Sequence, residues 1–273
     1  MRLDLDAYAR DGFLVVRDFL SADDCNALQA RAADLVAGFD PGPARSVFST
    51  RDQGHARDRY FRESGGAIRF FFEEDATDQP AALALNKIGH ALHDLDPVFD
   101  SLSRQPRLAQ LAAMLGLQKP LLLQSMYLFK QPRIGAEVGW HQDATYLYTD
   151  PVTVTGFWIA LDAADRDNGC LMALPGAHRG PLRQRFRRVG EALVTETLDR
   201  TPWPATEPVA LEAPRGTLVI LHGLLPHCSA PNRSSRPRHA YALHLIDGHA
   251  IYPPDNWLQR PELPLRGFRD SQG

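Results

Sequence analysis

After Gly116 the sequence breaks into short apolar runs separated by turn residues, and this pattern constrains the fold more than any other feature. The runs are PLLLQSMYLFK from Pro120, VTVTGFWIAL over 152–161, CLMAL after Asn168-Gly169, PVALEA over 208–213, GTLVILHG over 216–223 and AYALHLI over 240–246. Each has strand length, and Asn168-Gly169 and Pro175-Gly176 are turn signals, the first typical of a hairpin. No helical pattern alternates with these runs, which excludes a parallel sheet of βαβ units and predicts an antiparallel sandwich or barrel.

The preceding stretch reads differently. Tyr8 to Asp11 ends at Gly12, and Phe13–Val16 predicts a short buried strand. Ser21 with Asp24 forms a capping-box pattern, opening a helix that carries Leu28, Ala32, Leu35 and Val36 on one face and ends near Gly38. Periodicity fades from Pro41 to Gly66, predicting a long loop of the kind that is either functional or disordered. Phe70-Phe71-Phe72 reads as a buried strand or as an aromatic patch at a substrate. Over 80–117, Leu83, Ile88, Leu92, Leu95, Leu108, Leu111 and Leu115 recur at helical spacing, predicting two helices separated near Pro97 and Pro106. The expectation is one domain, mainly β with flanking α. Residues 1–117 are a mainly helical wrap, 118–250 a β-core interrupted by an arginine-rich insert at 177–206, and 251–273 a tail.

Charge narrows the function classes. Lys and Arg total 30 against 33 Asp and Glu, a net −3, which argues against coating nucleic acid. No apolar run is long enough for a membrane span, and MRLDLDAYARDG is too charged for a signal peptide. Cys25, Cys170 and Cys228, with no CxxC, argue against a disulfide framework or a zinc ribbon and predict a reducing, cytoplasmic setting.

The chemistry concentrates in two places. In Trp140-His141-Gln142-Asp143, residues two apart on extended backbone project to one face, so an imidazole and a carboxylate can aim at one point. Two such ligands plus a second histidine make the facial triad of non-haem Fe(II) oxygenases, although HxD alone is a weak signal. The second place is HGLLPHCSAPNRSSRPRHAYALHL, residues 222–245, which offers His222 and His227 as rival candidates for that histidine. Arg238 opens the strand that follows. An arginine facing into a β-core requires an anion, and a dicarboxylate satisfies it by bidentate hydrogen bonds.

Other residues have blander readings. His55, His90, His93, His178, His239, His244 and His249 read as structural or surface histidines. Arg179, Arg183, Arg185, Arg187 and Arg188 read as a solvated loop, or as an anion site for an acidic substrate. Tyr146 and Tyr148 read as substrate-mouth or packing residues.

These motifs carry a resemblance. WHQDATYLYTDP, GFWIALDAADRDNGCLMALPGAHRG, HCSAPNRSSRPRHAYALHL and the opening DGFLVVRDFLS resemble the phytanoyl-CoA dioxygenase family of Fe(II)/2-oxoglutarate oxygenases, and within it the phytanoyl-CoA dioxygenase domain-containing proteins, over residues 8–250. The resemblance implies a double-stranded β-helix (a cupin-like jelly-roll) with N-terminal helices packed on it. It implies that His141, Asp143 and His227, rather than His222, ligate Fe(II). Arg238, helped by Ser229, would hold the far carboxylate of 2-oxoglutarate, with Lys87, Met126 and Trp158 as further contacts. It also implies O2 as co-substrate and hydroxylation of an unactivated C–H bond, with release of succinate and CO2. Asp143 favours hydroxylation, because halogenating relatives of this chemistry leave the carboxylate position vacant. Ala177, in PGAH where PGSH is commoner, is a departure away from the triad. The implied substrate is a small molecule, with anionic compounds and CoA thioesters included, and loops 45–75 and 179–206 are expected to select it. A non-catalytic 2-oxoglutarate or metal sensor, and a cupin enzyme using another metal, are the competing readings.

Overall fold

Two sheets, antiparallel except where β2 pairs parallel with β3, face one another, and the alternation of side chains along their strands decides which residues reach the space between them. The computed structural model describes residues 3–40, 46–48, 58–76 and 79–269. The strands are β1 (Phe13–Val16), β2 (Val47–Phe48), β3 (Ile68–Glu73), β4 (Leu85–His90), β5 (Pro120–Leu128), β6 (Val138–His141), β7 (Thr155–Ala160), β8 (Leu171–Ala173), β9 (Gln184–Val189), β10 (Ala192–Thr197), β11 (Val209–Leu211), β12 (Leu218–His222), β13 (His227–Ser229), β14 (Ala240–Asp247) and β15 (Arg266–Gly267). The major sheet runs β1-β12-β7-β14-β5-β4-β3-β2, with β15 added on β5, and the minor sheet runs β11-β8-β13-β6. This is the mainly β architecture that the strand pattern predicts, in the jelly-roll form that the family resemblance implies.

The major sheet is apolar on both faces. Tyr241, Leu243 and Leu245 of β14, Phe157 and Ile159 of β7, and Leu218 and Ile220 of β12 point to the helices. Those helices include α1 (Leu5–Asp11), α2 (Ala22–Ala37), α4 (Ala81–Ala84), α5 (Leu92–Leu95), α6 (Pro97–Ser103) and α7 (Pro106–Met114), whereas α3 (Arg59–Arg62) packs its Phe61 into a separate cluster at the cavity. Leu28 of α2, Phe99 and Leu102 of α6, and Leu108 and Leu111 of α7 complete this core. The alternate residues, Ala240 and Ala242, Trp158 and Ala160, and Val219 and Leu221, face the minor sheet. The capping box of α2 is present: Ser21 Oγ accepts from Asp24 N–H at 3.0 Å, and Asp24 Oδ2 accepts from Ser21 N–H at 3.2 Å.

Four expectations need correction. Residues 85–90 form strand β4 within the major sheet rather than part of a helix, so Lys87 is a strand residue. The pairing slips by one residue between Phe71 and Phe72, which leaves Asn86 as an extra residue in β4. Leu85 and Ile88 therefore share the helix-side core despite a spacing of three, and the bulge imitates a helical period. The N-terminal segment is thus more than a wrap, since β1 and β4-β3-β2 build the flanks of the major sheet. Asn168-Gly169 makes a turn, but the chain there passes from β7 in one sheet to β8 in the other, so it closes no hairpin. The insert at 177–206 holds the two-stranded ribbon β9-β10.

Most of the loop over 41–57, with His55, lies outside the described residues. No helix among the described residues is long and apolar enough to cross a membrane.

Candidate active site

The two sheets enclose a cavity of about 390 Å³ that His141, Asp143, His227, Arg238, Ser229, Lys87, Met126 and Trp158 all line. The metal-ligating candidates meet because β13 pairs antiparallel with β6 and places His227 opposite His141. Their ring centroids are 4.2 Å apart. Gln142 is extended (φ −114°, ψ 137°), so His141 and Asp143 share a face as the two-residue period predicts. Asp143 Oδ1 lies 3.8 Å from His141 Nε2 and 3.7 Å from His227 Nε2. The three ligand atoms lie within 4.8 Å of one another.

The backbone fixes which imidazole nitrogen faces inward. His141 Nδ1 is 2.8 Å from the Gly139 carbonyl, and His227 Nδ1 is 3.0 Å from the Leu225 carbonyl. A carbonyl only accepts, so each Nδ1 carries the proton and each Nε2 turns its lone pair toward Asp143. Gln142 points the opposite way. Its Nε2 donates to the Leu224 carbonyl at 2.9 Å, and its Oε1 accepts from Arg183 N–H at 2.9 Å. The residue between the two ligands thus anchors the loop before His227 and the arginine-rich insert.

Burial, with His227 adding to it, lowers the His141 imidazole to about 4, so it is neutral and able to bind a metal. Burial opposes ionisation of Asp143, but His244 and His227 outweigh it and hold the carboxyl below its usual range. His244 Nε2 lies 3.3 Å from Asp143 Oδ2. Across the strand pair His244 faces Gly156, where a Cβ would fall 2.8 Å from that same oxygen.

Arg238 is 3% exposed and occupies the other end of the cavity. Its Nη2 donates to Ser229 Oγ at 3.4 Å, and the Ser229 hydroxyl donates to the Gly169 carbonyl at 2.9 Å. Nε and Nη1 are buried with no hydrogen-bond partner among the described residues. Burial lowers this guanidinium to about 10. A buried, incompletely paired guanidinium is a fitting receptor for a carboxylate. Met126 and Trp158 flank Ala242 in register, one pleat from the His244 row and one from Ala240, so they line the path between Arg238 and the triad. The Lys87 ammonium sits 3.2 Å from the Phe48 ring centroid, and burial, opposed by Glu73, lowers it to about 7.

His222 has a different role from His227. Its Nδ1 accepts from Leu224 N–H at 3.1 Å, and its ring packs 5.0 Å from that of His178. His93 lies against Ser125 and Asp94, His239 against Tyr127, and His249 against Asp247. His90 contacts Ser64 Oγ at 2.8 Å and also lines the cavity.

The arginine run forms neither a solvated loop nor an open anion site. Arg183 pairs with Asp199, Arg185 with Asp255 and Arg187 with Glu196, while Arg179 and Arg188 donate to backbone carbonyls. Sequence reading missed His244, Gln142, Gln124 and Lys130. It gave Trp257 of the tail no role, yet that side chain lines the cavity. His244 and Gln124 did leave a signal: each is a polar residue at an alternating position within an apolar strand.

The sequence profile described as phytanoyl-CoA dioxygenase matches residues 8–240. The chain belongs to the phytanoyl-CoA dioxygenase family. It is 42% identical over 267 residues to an Arabidopsis thaliana phytanoyl-CoA dioxygenase, covering 95% of this chain and 94% of that one. It is 44% identical over 282 residues to the Bos taurus phytanoyl-CoA dioxygenase domain-containing protein 1, covering 96% of each. Among solved structures, the family fold is shared with the AviO1 protein of Streptomyces viridochromogenes (TM-score 0.64, 25% identity, 92% of this chain and 96% of that one). It is also shared with the epimerase SnoN of nogalamycin biosynthesis, solved with Fe3+, alpha ketoglutarate and nogalamycin RO (TM-score 0.68, 18% identity, 97% and 91%).

Proposed function

We propose that this phytanoyl-CoA dioxygenase family member is an Fe(II)- and 2-oxoglutarate-dependent oxygenase that hydroxylates an unactivated C–H bond of a small organic molecule. The observation that carries this reading is the pairing of two features in one cavity. Two Nε2 atoms and one carboxylate oxygen converge at one end, and an incompletely paired, buried guanidinium waits at the other. His141, Asp143 and His227 would hold iron. Arg238, with Ser229 beside it, would take the far carboxylate of 2-oxoglutarate, and Lys87, Met126 and Trp158 would flank it. The bound iron and co-substrate supply the O2-activating chemistry, with release of succinate and CO2.

The chain's own residues do the positioning. The Gly139 and Leu225 carbonyls hold both imidazoles in the ligating tautomer. With three protein ligands, a bound iron would keep positions free for the co-substrate and O2. Arg238 and Trp158, with Cζ 5.3 Å from the ring centroid, orient the co-substrate's remote end. Asp143 fills the carboxylate position, which favours hydroxylation over halogenation.

Succinate release with Fe(II) and 2-oxoglutarate, measured across a substrate screen, tests this reading. His141→Ala or Asp143→Ala should abolish it while circular dichroism stays native. Full activity in either variant would remove the site assignment. Binding of 2-oxoglutarate with no turnover under any condition would instead favour a sensor.

A further inference from the structure

The part of the cavity beside the metal-binding triad differs in character from the Arg238 end. Gln124 of β5 pairs in register with His244, and its side chain points with Met126 and Leu128 into the cavity. It is 5% exposed as a residue, and its carboxamide opens onto the cavity. A carboxamide that lines a cavity offers a donor and an acceptor to whatever ligand enters it. A run of rings lines the same cavity. Tyr146 lies 6.0 Å from His141, Phe186 lies 5.7 Å from Tyr146, and Trp257 lies 6.2 Å from Phe186, with Phe61 stacked on Trp257 at 4.6 Å. The cavity's ammonium and guanidinium groups sit elsewhere: Lys87 pairs with Leu128, two pleats from Gln124, Arg238 lies two residues before Ala240, which also pairs with Leu128, and Lys130 follows that strand and donates to the Ala136 carbonyl. Among the described residues, Asp143 is the charged side chain that lines the Gln124 end.

We propose that Gln124 is the substrate-recognition residue, and that the substrate is a neutral, ring-containing molecule bearing an amide-like edge. A carboxamide both donates and accepts, so it pairs reciprocally with an N–H and C=O edge, while a ring packs on the aromatic wall. Specificity then comes from one placed polar group in an apolar site. The cavity of about 390 Å³ must also admit 2-oxoglutarate, which leaves room for a compact molecule. The inference rests on the oxygenase reading above.

The test uses the full chain loaded with Zn(II), which blocks turnover, and 2-oxoglutarate. Benzamide, 2-piperidone, toluene and hexanoyl-CoA are titrated by calorimetry. The wild type should bind both amides more tightly than toluene, and hexanoyl-CoA should not displace them. Gln124→Leu should weaken amide binding by about five- to 100-fold, the worth of two hydrogen bonds, without weakening toluene. Gln124→Glu keeps the shape but loses the donor, and should also weaken both amides. Equal amide affinity in wild type and variants overturns the proposal. So does tighter binding of hexanoyl-CoA, or no binding by either amide. A wild type that takes up neither Zn(II) nor 2-oxoglutarate would instead defeat the oxygenase reading.

Discussion

His244 Nε2 lies 3.3 Å from Asp143 Oδ2, whereas Oδ1 of that carboxylate is the oxygen shared with His141 and His227. The two oxygens therefore have separate surroundings, and His244 is the side chain that approaches the one turned from the imidazoles. Partners of this kind orient metal ligands, and their loss typically weakens metal affinity about 10- to 100-fold. His244→Ala should show such a loss in a chelator competition with Fe(II) or Co(II), with the native circular dichroism spectrum retained. An unchanged metal affinity would reduce His244 to packing.

Gly156 tests the same contact from the opposite side. An Ala Cβ there would sit 2.8 Å from Asp143 Oδ2 and 3.6 Å from the His244 ring, so the carboxylate must move. Gly156 is a strand residue with no left-handed requirement, and adding a methyl there also limits the unfolded chain. Gly156→Ala should thus lose metal affinity while its metal-free urea midpoint stays close to wild type. A collapsed midpoint would show that the displacement reaches the strand backbone.

How much of this was legible in the sequence depends on the range of the interactions. The capping box of α2, the β1 run and the core strands rest on local patterns, and they are present. His141 and Asp143 share a face because of a two-residue period, which is also local. The partnership of His227 rather than His222 depends on which strand pairs with β6, and the family resemblance supplied what spacing left open. Residue Lys87 was misplaced on a helix because Leu83, Leu92 and Leu95 lie on the short helices α4 and α5, and Ile88 of the strand between them falls in with their spacing. Likewise, the arginine run looked free because Asp199, Glu196 and Asp255 reach it only through the ribbon and the folded tail.

Acid should destabilise the metal-free protein through its buried neutral histidines. Burial, reinforced by a neighbouring histidine, lowers both His141 and His222 from 6.5 to about 4. Between those values the unfolded chain binds more protons than the folded one. Their contribution is therefore complete above about pH 6.5 and is lost as pH falls through about 4. His141 keeps 20% of its side-chain surface open, so solvent screens part of its share. Urea midpoints should decline across this window, and His222→Gln should flatten the decline. An unchanged slope would exclude His222 as a source. Metal binding, which requires neutral imidazoles, should weaken in the same direction.

Arg238 should show opposite effects in the free and bound states. Without co-substrate its Nε and Nη1 are buried and unpartnered among the described residues, a state that costs stability. Arg238→Met keeps much of the stem while removing the charge, so the free variant should melt at or above the wild-type temperature. With 2-oxoglutarate at 100 times its Kd, the wild type should gain about 2.7 kcal/mol by linkage, and the variant should gain little. The order of melting temperatures should therefore reverse on adding 2-oxoglutarate. Arg238→Lys, which keeps a charge but loses the planar fork, should recover only part of that gain. A wild type that melts above Arg238→Met without ligand, with equal gains on adding 2-oxoglutarate, would make Arg238 a structural residue rather than a carboxylate receptor.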